Sequence, residues 1–520
     1  MHLRPVIASV GLLAGSLVAL SGTTAQAATT RYEAETSPAV CAGTIDSNWA
    51  GYSGTGFCNG DNATGGYAQF TVTAPAAGTA TLKVRFANGT TSARTANIVV
   101  NGTTAGTASF EGTGAWNTWA TKTLTVPLRP GSNTVRLSPT TSGGLPNIDH
   151  VDVETGGSDP QPTGPVLYVS PGGTDSAAGT ESNPTTLTSA ISRISAGGTI
   201  YLRGGTYRYS QTVTIPAGRD GTSGDRTELF AYPGETPVLN FSAQSEDPAG
   251  RGLAVNASYW HVKGVVVERA GDNGIFVGGS NNVIERTVTR FNRDSGLQLS
   301  RALSTTPKDQ WPSHNLILSA ESHDNVDSDG EDADGFAPKL TVGPGNVFRY
   351  TVAHHNIDDG YDLYTKTDTG PIGAVTIEDS LAYDNGTLSD GSQAGNGDRN
   401  GYKLGGEDIG VNHIVRRSIA YHNGKHGFTY NRNTGAMRIS DNVSVGNEQR
   451  NFNFDSGSTS VFRNNTSCDS GSNDRIIGDS DGSNQFWSGS NGSRCSSYAG
   501  ALRWSFASDG RLVVTFGGSR

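Results

Sequence analysis

The sequence is poor in sulfur, charge and helical periodicity. In 520 residues it has four cysteines and two methionines, and charged residues make up only 17%. No Cys-x-x-Cys and no Cys/His cluster occurs, which excludes the usual zinc sites. Almost no stretch repeats its apolar residues at the helical period, so helices are excluded as the main element. Lys and Arg form no clusters and the net charge is −10, which disfavours a nucleic-acid partner. Beyond the first residues no apolar run approaches membrane-spanning length. What is abundant is Gly, at 70 residues, with Ser, Thr, Asn and Asp. That mixture suits short strands joined by many turns, and the length suits two or three domains.

Residues 1–27 read as a secretory signal: Arg4, an apolar run over 6–20, and the small-residue site Ala25-Gln26-Ala27. The mature chain is therefore expected outside the cell, soluble, monomeric and free of membrane contact. There the cysteines are expected to form two sequence-local disulfides, Cys41 with Cys58 and Cys468 with Cys495.

Residues 28–154 alternate apolar and polar positions in segments such as YAQFTV, ATLKVRF and TKTLTVPL, the pattern of an antiparallel β-sandwich. Residues 155–165, TGGSDPQPTGP, have no periodicity and read as a linker. From 166 to 520 strand-sized units recur with an Asn and a Gly in matching places. The marker residues Asn292, Asn325, Asn356, Asn385, Asn423 and Asn447 are spaced 33, 31, 29, 38 and 24 apart. A solenoid coil carrying loops of varying length gives such a drift, and the unit is strand–turn–strand. The fold class is thus all-β: a parallel β-helix preceded by a β-sandwich. The marker asparagines are expected to hydrogen-bond along the stack. TTLTSAISRI is expected to be a short helix in a first-end cap, and WSFASDGRLVVTF a tail folded back on the last coil.

Carboxylates crowd residues 324–366. Asp334 and the Asp358-Asp359 pair are separated by about one coil, which places them on adjacent rungs roughly 4.8 Å apart. Converging carboxylates at that distance call for a cation. Oxygen-only ligands in an extracellular chain make it calcium, with Asp362 close by. Asp324, Asp327, Asp329, Glu331 and Asp332 read as loop charges. Lys339, Lys366 and Arg399 are candidate contacts for substrate carboxylates. His354, His355, His422 and His426 read as structural residues of rung turns.

ADGFAPKLTVGPGNVFR, DDGYDLYTK and NGYKLGG together resemble polysaccharide lyase family nine, whose founding activity is pectate lyase. The resemblance covers most of the chain after the linker. It implies calcium held by Asp334, Asp358, Asp359 and Asp362, and Lys403 as the Brønsted base that removes the C5 proton of a uronide. The base must be a neutral amine; a nearby cation is expected to lower its pKa, and the activity optimum is expected to be alkaline. The segment ends RYEAE and LPNIDHVDVE resemble carbohydrate-binding modules of families thirty-five and six. That likeness implies a structural calcium on Glu33, Glu35 and Asp149 and a sugar contact at Asn147. Trp116 and Trp119 are candidates for an aromatic platform or for core packing. The substrate expected is pectic or another uronic-acid polysaccharide. The rival readings are a rhamnogalacturonan lyase, a β-helix hydrolase of the polygalacturonase type, and a non-catalytic wall-binding protein.

Overall fold

The computed structural model describes residues 29–74, 78–129, 131–155 and 164–517. The signal segment expected at 1–27 and positions 156–163 of the expected linker lie outside the described residues.

The N-terminal part is an antiparallel sandwich. One sheet pairs Asn147–Thr155 with Thr29–Glu33, Phe57–Gly60 and Gly78–Ala87; the other pairs Gly131–Pro139 with Ala68–Ala74 and Arg94–Val100. Alternation decides the inside: Phe70, Val72, Leu82, Val84, Leu137 and Val151 are buried between the sheets. Cys41 and Cys58 form a disulfide, as do Cys468 and Cys495.

From Val166 the chain winds into three parallel sheets of 12, 10 and 10 strands; each complete coil gives one strand to each sheet, and Val166–Val169 and Asp479–Ser480 extend the first sheet at its two ends. In the first sheet Ile284, Ile317, Phe348, Ile377, Val415, Ile439 and Phe462 stack inward in register. In the third, Phe336, Tyr361, Tyr402, Phe428 and Phe452 stack, with ring centroids 5.2, 4.6, 4.5 and 5.1 Å apart. The second sheet is filled differently. Its inward positions are small, with Ser322, Ala353, Ala382, Ala420 and Ser444 in one column. The third sheet packs close against it at the intervening turn. A Cβ added at Gly335 or Gly360 would meet the Cβ of Ala353 at 2.7 Å or of Ala382 at 3.0 Å, so large residues are excluded there and Gly is required opposite.

That turn carries the marker asparagines. Each Asn side chain from 292 to 423 donates through Nδ2 to the Oδ1 of the next at 2.8–2.9 Å, and the series reaches Asn447. The helix Leu187–Arg193, N-capped by Thr186, buries Leu187, Ala190 and Ile191 at the first end. At the other end the tail differs from expectation. Leu502–Phe506 and Leu512–Phe516 form a hairpin that runs back along the outside of the second sheet, where Leu502 and Phe516 pack near Tyr421 and Val445. Trp504 Nε1 donates to the Tyr383 hydroxyl at 3.0 Å and Ser319 Oγ to the Gly510 carbonyl at 2.5 Å. Alternate residues of each hairpin strand are apolar, which gives it one sticky face suited to a flat sheet wall. Phe486 instead packs on Phe452 and Phe462.

Candidate active site

Three consecutive third-sheet strands build the site: Phe336–Pro338, Tyr361–Asp362 and Tyr402–Lys403. Phe336, Tyr361 and Tyr402 are register partners facing inward. The next residue on each strand therefore faces out, and Asp362 sits directly beside Lys403. Two residues before the inward rings lie Asp334, Asp359 and Asn400. Asp358 precedes Asp359 at the same turn.

Asp334, Asp358 and Asp359 each bring a carboxylate oxygen within 4.8 Å of the others, all buried. Their remaining contacts fix them. Asp359 Oδ1 accepts from the backbone N and the Nδ2 of Asn400 at 2.6 and 2.9 Å. Asp358 Oδ1 accepts from the backbone N–H groups of Asp398 and Arg399. Asp334 Oδ2 accepts from Ser295 Oγ at 3.1 Å and from Lys339 Nζ at 2.7 Å. Asp359 Oδ2 and Asp362 Oδ1 are buried without a hydrogen bond. Burial, reinforced by neighbouring carboxylates, pushes the Asp334 and Asp358 carboxyls well above their usual range, and burial raises Asp359 to about 6. Crowded, buried oxygens with unfilled lone pairs are what a hard divalent cation requires, so these residues fit one.

Lys403 Nζ is 3.1 Å from Asp398 Oδ2, 3.2 Å from Asp359 Oδ2 and 3.8 Å from Asp362 Oδ2. Burial works against its charge, but Asp362, Asp359, Asp358 and Asp334 outweigh that and hold its pKa well above the ordinary lysine value. The direction is opposite to the lowering expected beside a cation, because the charges next to Lys403 are carboxylates. Asp398 was not legible as a site residue; it lies in the polar segment SDGSQAGNGDRNGYK and also accepts from Lys425 Nζ at 2.6 Å. Of the other sequence candidates, Lys339 lies inside the acidic cluster, Lys366 is exposed, and the Arg399 guanidinium is 3.6 Å from Glu448. His426 is buried between Lys425 and Arg450, and burial first and these cations second push its pKa down to about 4.

In the sandwich, Glu33, Asp149 and His150 bring ligand atoms within 4.8 Å of one another. Ser53 Oγ lies 2.8 Å from Glu33 and 2.7 Å from His150 Nδ1. Glu35 lies beyond the end of the first strand, where its Oε1 accepts from Thr55 N at 2.8 Å and its buried Oε2 has no partner. His150, next to Asp149 in sequence, was not anticipated. Asn147 pairs with Ala87 at one end of the sandwich. Half-exposed Trp116 stacks near Arg94, 5.2 Å away, and over Gly89. Trp119 Nε1 donates to the Ala50 carbonyl and its ring meets Phe57 edge-on.

A parallel β-helix with a buried carboxylate–lysine site, preceded by a β-sandwich, and the curated pectate lyases it resembles make the chain a polysaccharide lyase. Residues 167–467 match the Pel9A-like, right-handed beta helix region, and residues 35–155 match carbohydrate binding module family 6. The chain belongs to the Pel9A-like right-handed β-helix family. Pectate lyase L of Paenibacillus polymyxa (strain SC2) is 53% identical over 323 residues, covering 62% of this chain and 72% of that one. The crystal structure of pectate lyase Pel9A superposes with a TM-score of 0.58 at 31% identity, covering 69% of this chain and 88% of the other. A rhamnogalacturonan lyase structure shares the fold, with a TM-score of 0.52 at 24% identity over 62% of this chain and 87% of its own.

Proposed function

We propose that the chain is a secreted, calcium-dependent pectate lyase that breaks polygalacturonan by β-elimination. The observation that carries this reading is the placement of Lys403 Nζ beside the carboxylates of Asp359 and Asp362 on the neighbouring rung. Asp334, Asp358, Asp359 and Asp362 would hold calcium. When bound, calcium supplies the positive charge that offsets these carboxylates and stabilises the charge accumulating on a uronide C6 carboxylate as C5 loses its proton. Lys403, as a neutral amine, takes the C5 proton at Nζ; the C4–O bond then breaks, the electron pair leaves with the glycosidic oxygen, and a 4,5-unsaturated uronide remains. Asp398 and Asn400 hold the base and the cage in place. Arg399 and Lys366 are proposed contacts for substrate carboxylates.

An inverting hydrolase needs two carboxyl groups about 6.5–9.5 Å apart with room for water. The Asp334, Asp358 and Asp359 oxygens are closer than that and share their space with two lysines. In the sandwich, Glu33, Glu35 and Asp149 are proposed to hold a structural calcium, with His150 Nδ1 bonded to Ser53 beside them, and Asn147 and Trp116 to face the sugar. The proposed boundaries are a signal peptide over 1–27, a module over 28–154, a linker over 155–165 and a catalytic unit over 166–520.

A substrate panel tests the function. Polygalacturonate, methylated pectin and rhamnogalacturonan are each followed at the ultraviolet band of unsaturated uronides, with and without EDTA. A rise on polygalacturonate that EDTA abolishes is expected. Cleavage without that rise would establish a hydrolase, and a rise confined to rhamnogalacturonan would move the substrate to that polymer.

A further inference from the structure

Lys339 is a charged residue that the reaction as described does not use. It lies five positions after Asp334, just beyond the strand Phe336–Pro338, and is only 8% exposed. Its ammonium donates to Asp334 Oδ2 at 2.7 Å and lies 3.5 Å from Asp362 Oδ2. The cluster therefore contains a second cation besides Lys403, and this one points into the cage.

We infer that Lys339 is the resident counter-ion of the cage, an internal ammonium that competes with the divalent cation for Asp334 and Asp362 and sets its affinity. This rests on the reading of the four carboxylates as a calcium cage. Charge and space decide the competition. In the resting cage, with its carboxylates ionised and before Lys403 loses its proton to serve as the base, four carboxylates and two ammonium groups leave two negative charges, which one divalent cation neutralises. Without Lys339 the same resting pocket would hold three net negative charges, and Asp334 Oδ2 would keep only the Ser295 hydroxyl as a donor. The empty cage would then repel itself more strongly, and an entering cation would meet one more free carboxylate and one less like charge. A single charge at this range changes such equilibria by about ten- to a hundredfold. The buried position of Nζ also speaks against a direct role on substrate, since its hydrogen bond is directed at Asp334 and away from solvent.

Calcium titration of the full chain by calorimetry at about pH 9, well on the alkaline side of the ordinary carboxyl range, tests this. Lys339→Met and Lys339→Gln are expected to bind calcium at least about tenfold more tightly than wild type, and Lys339→Arg to stay within about threefold. Melting curves give a second readout. The neutral variants should melt below wild type without metal and regain its melting temperature with saturating calcium; a variant that folds only with calcium supports the inference equally. Unchanged or weaker calcium binding in the neutral variants would overturn it, as would an equal loss of stability with and without metal. So would a raised KM for polygalacturonate at unaltered calcium affinity, which would assign Lys339 to the substrate. Asp359→Asn separates the two levels. If it binds calcium as wild type does, the cage reading falls and the inference with it; if only the Lys339 variants behave otherwise, the inference alone falls.

Discussion

Single residues in this chain act mainly through the charges beside them. Lys403 shows it: its sequence context identified a lysine on a rung, but its neighbours Asp359, Asp362 and Asp398 come from two other segments. Asp334, Asp358 and Asp359 were legible because one coil separates them. Asp398 was not, because it lies in an irregular loop with no periodicity to place it. His413 makes a prediction of its own. Its ring is fully buried, Nδ1 accepts from the Val375 N–H at 3.1 Å, and burial pushes its pKa down to about 3. The unfolded chain protonates this residue near pH 6.5 and the folded one does not, so folding loses stability as pH falls from about 6.5 towards 3, by about 1.4 kcal/mol per pH unit. His413→Asn, measured by denaturant unfolding at several pH values, should show a shallower decline across that window. An unchanged slope would remove His413 as its source.

At the scale of the strand and turn, the repeat was readable because one requirement recurs at every coil. The marker Asn must satisfy the turn beneath it and the Gly must clear the second sheet, so both reappear whatever loop is inserted between them. Asn356 illustrates the strength of the ladder: its Nδ2 donates to Asn385 Oδ1 and to the Ser322 carbonyl, and its Oδ1 accepts from Asn325. Asn356→Ala should leave buried groups unpaired on both neighbouring coils and cost about 2–4 kcal/mol, read as a lower denaturant midpoint with unchanged slope. A loss below about 0.5 kcal/mol would mean that the ladder is dispensable. The small inward residues of the second sheet were not foreseen. Strand propensity favours large β-branched side chains, and only the closeness of the third sheet forbids them. The C-terminal hairpin was misplaced for a related reason. Its apolar alternation shows that one face is covered, but not whether the cover is the end of the solenoid or its side.

For the whole molecule, the division into a sandwich and a solenoid follows from a change of period, and each part buries its own core. We expect the sandwich to hold the catalytic unit on wall polysaccharide and so raise the local substrate concentration. Removing residues up to 165 should then lower activity on insoluble cell-wall material severalfold while leaving turnover of soluble polygalacturonate within about twofold. Equal losses on both substrates would deny the module that role. Reducing both disulfides should destabilise the chain by about 2–5 kcal/mol per bond, since each closes a loop within one part, over 17 and 27 residues.

The measurement closest to the central claim compares Lys403→Ala with wild type on polygalacturonate, following formation of the unsaturated product at saturating calcium and calcium binding in parallel. A loss of kcat of about 10²–10⁴-fold is expected, with the fold intact and calcium still bound. Turnover close to that of wild type would contradict Lys403 as the base.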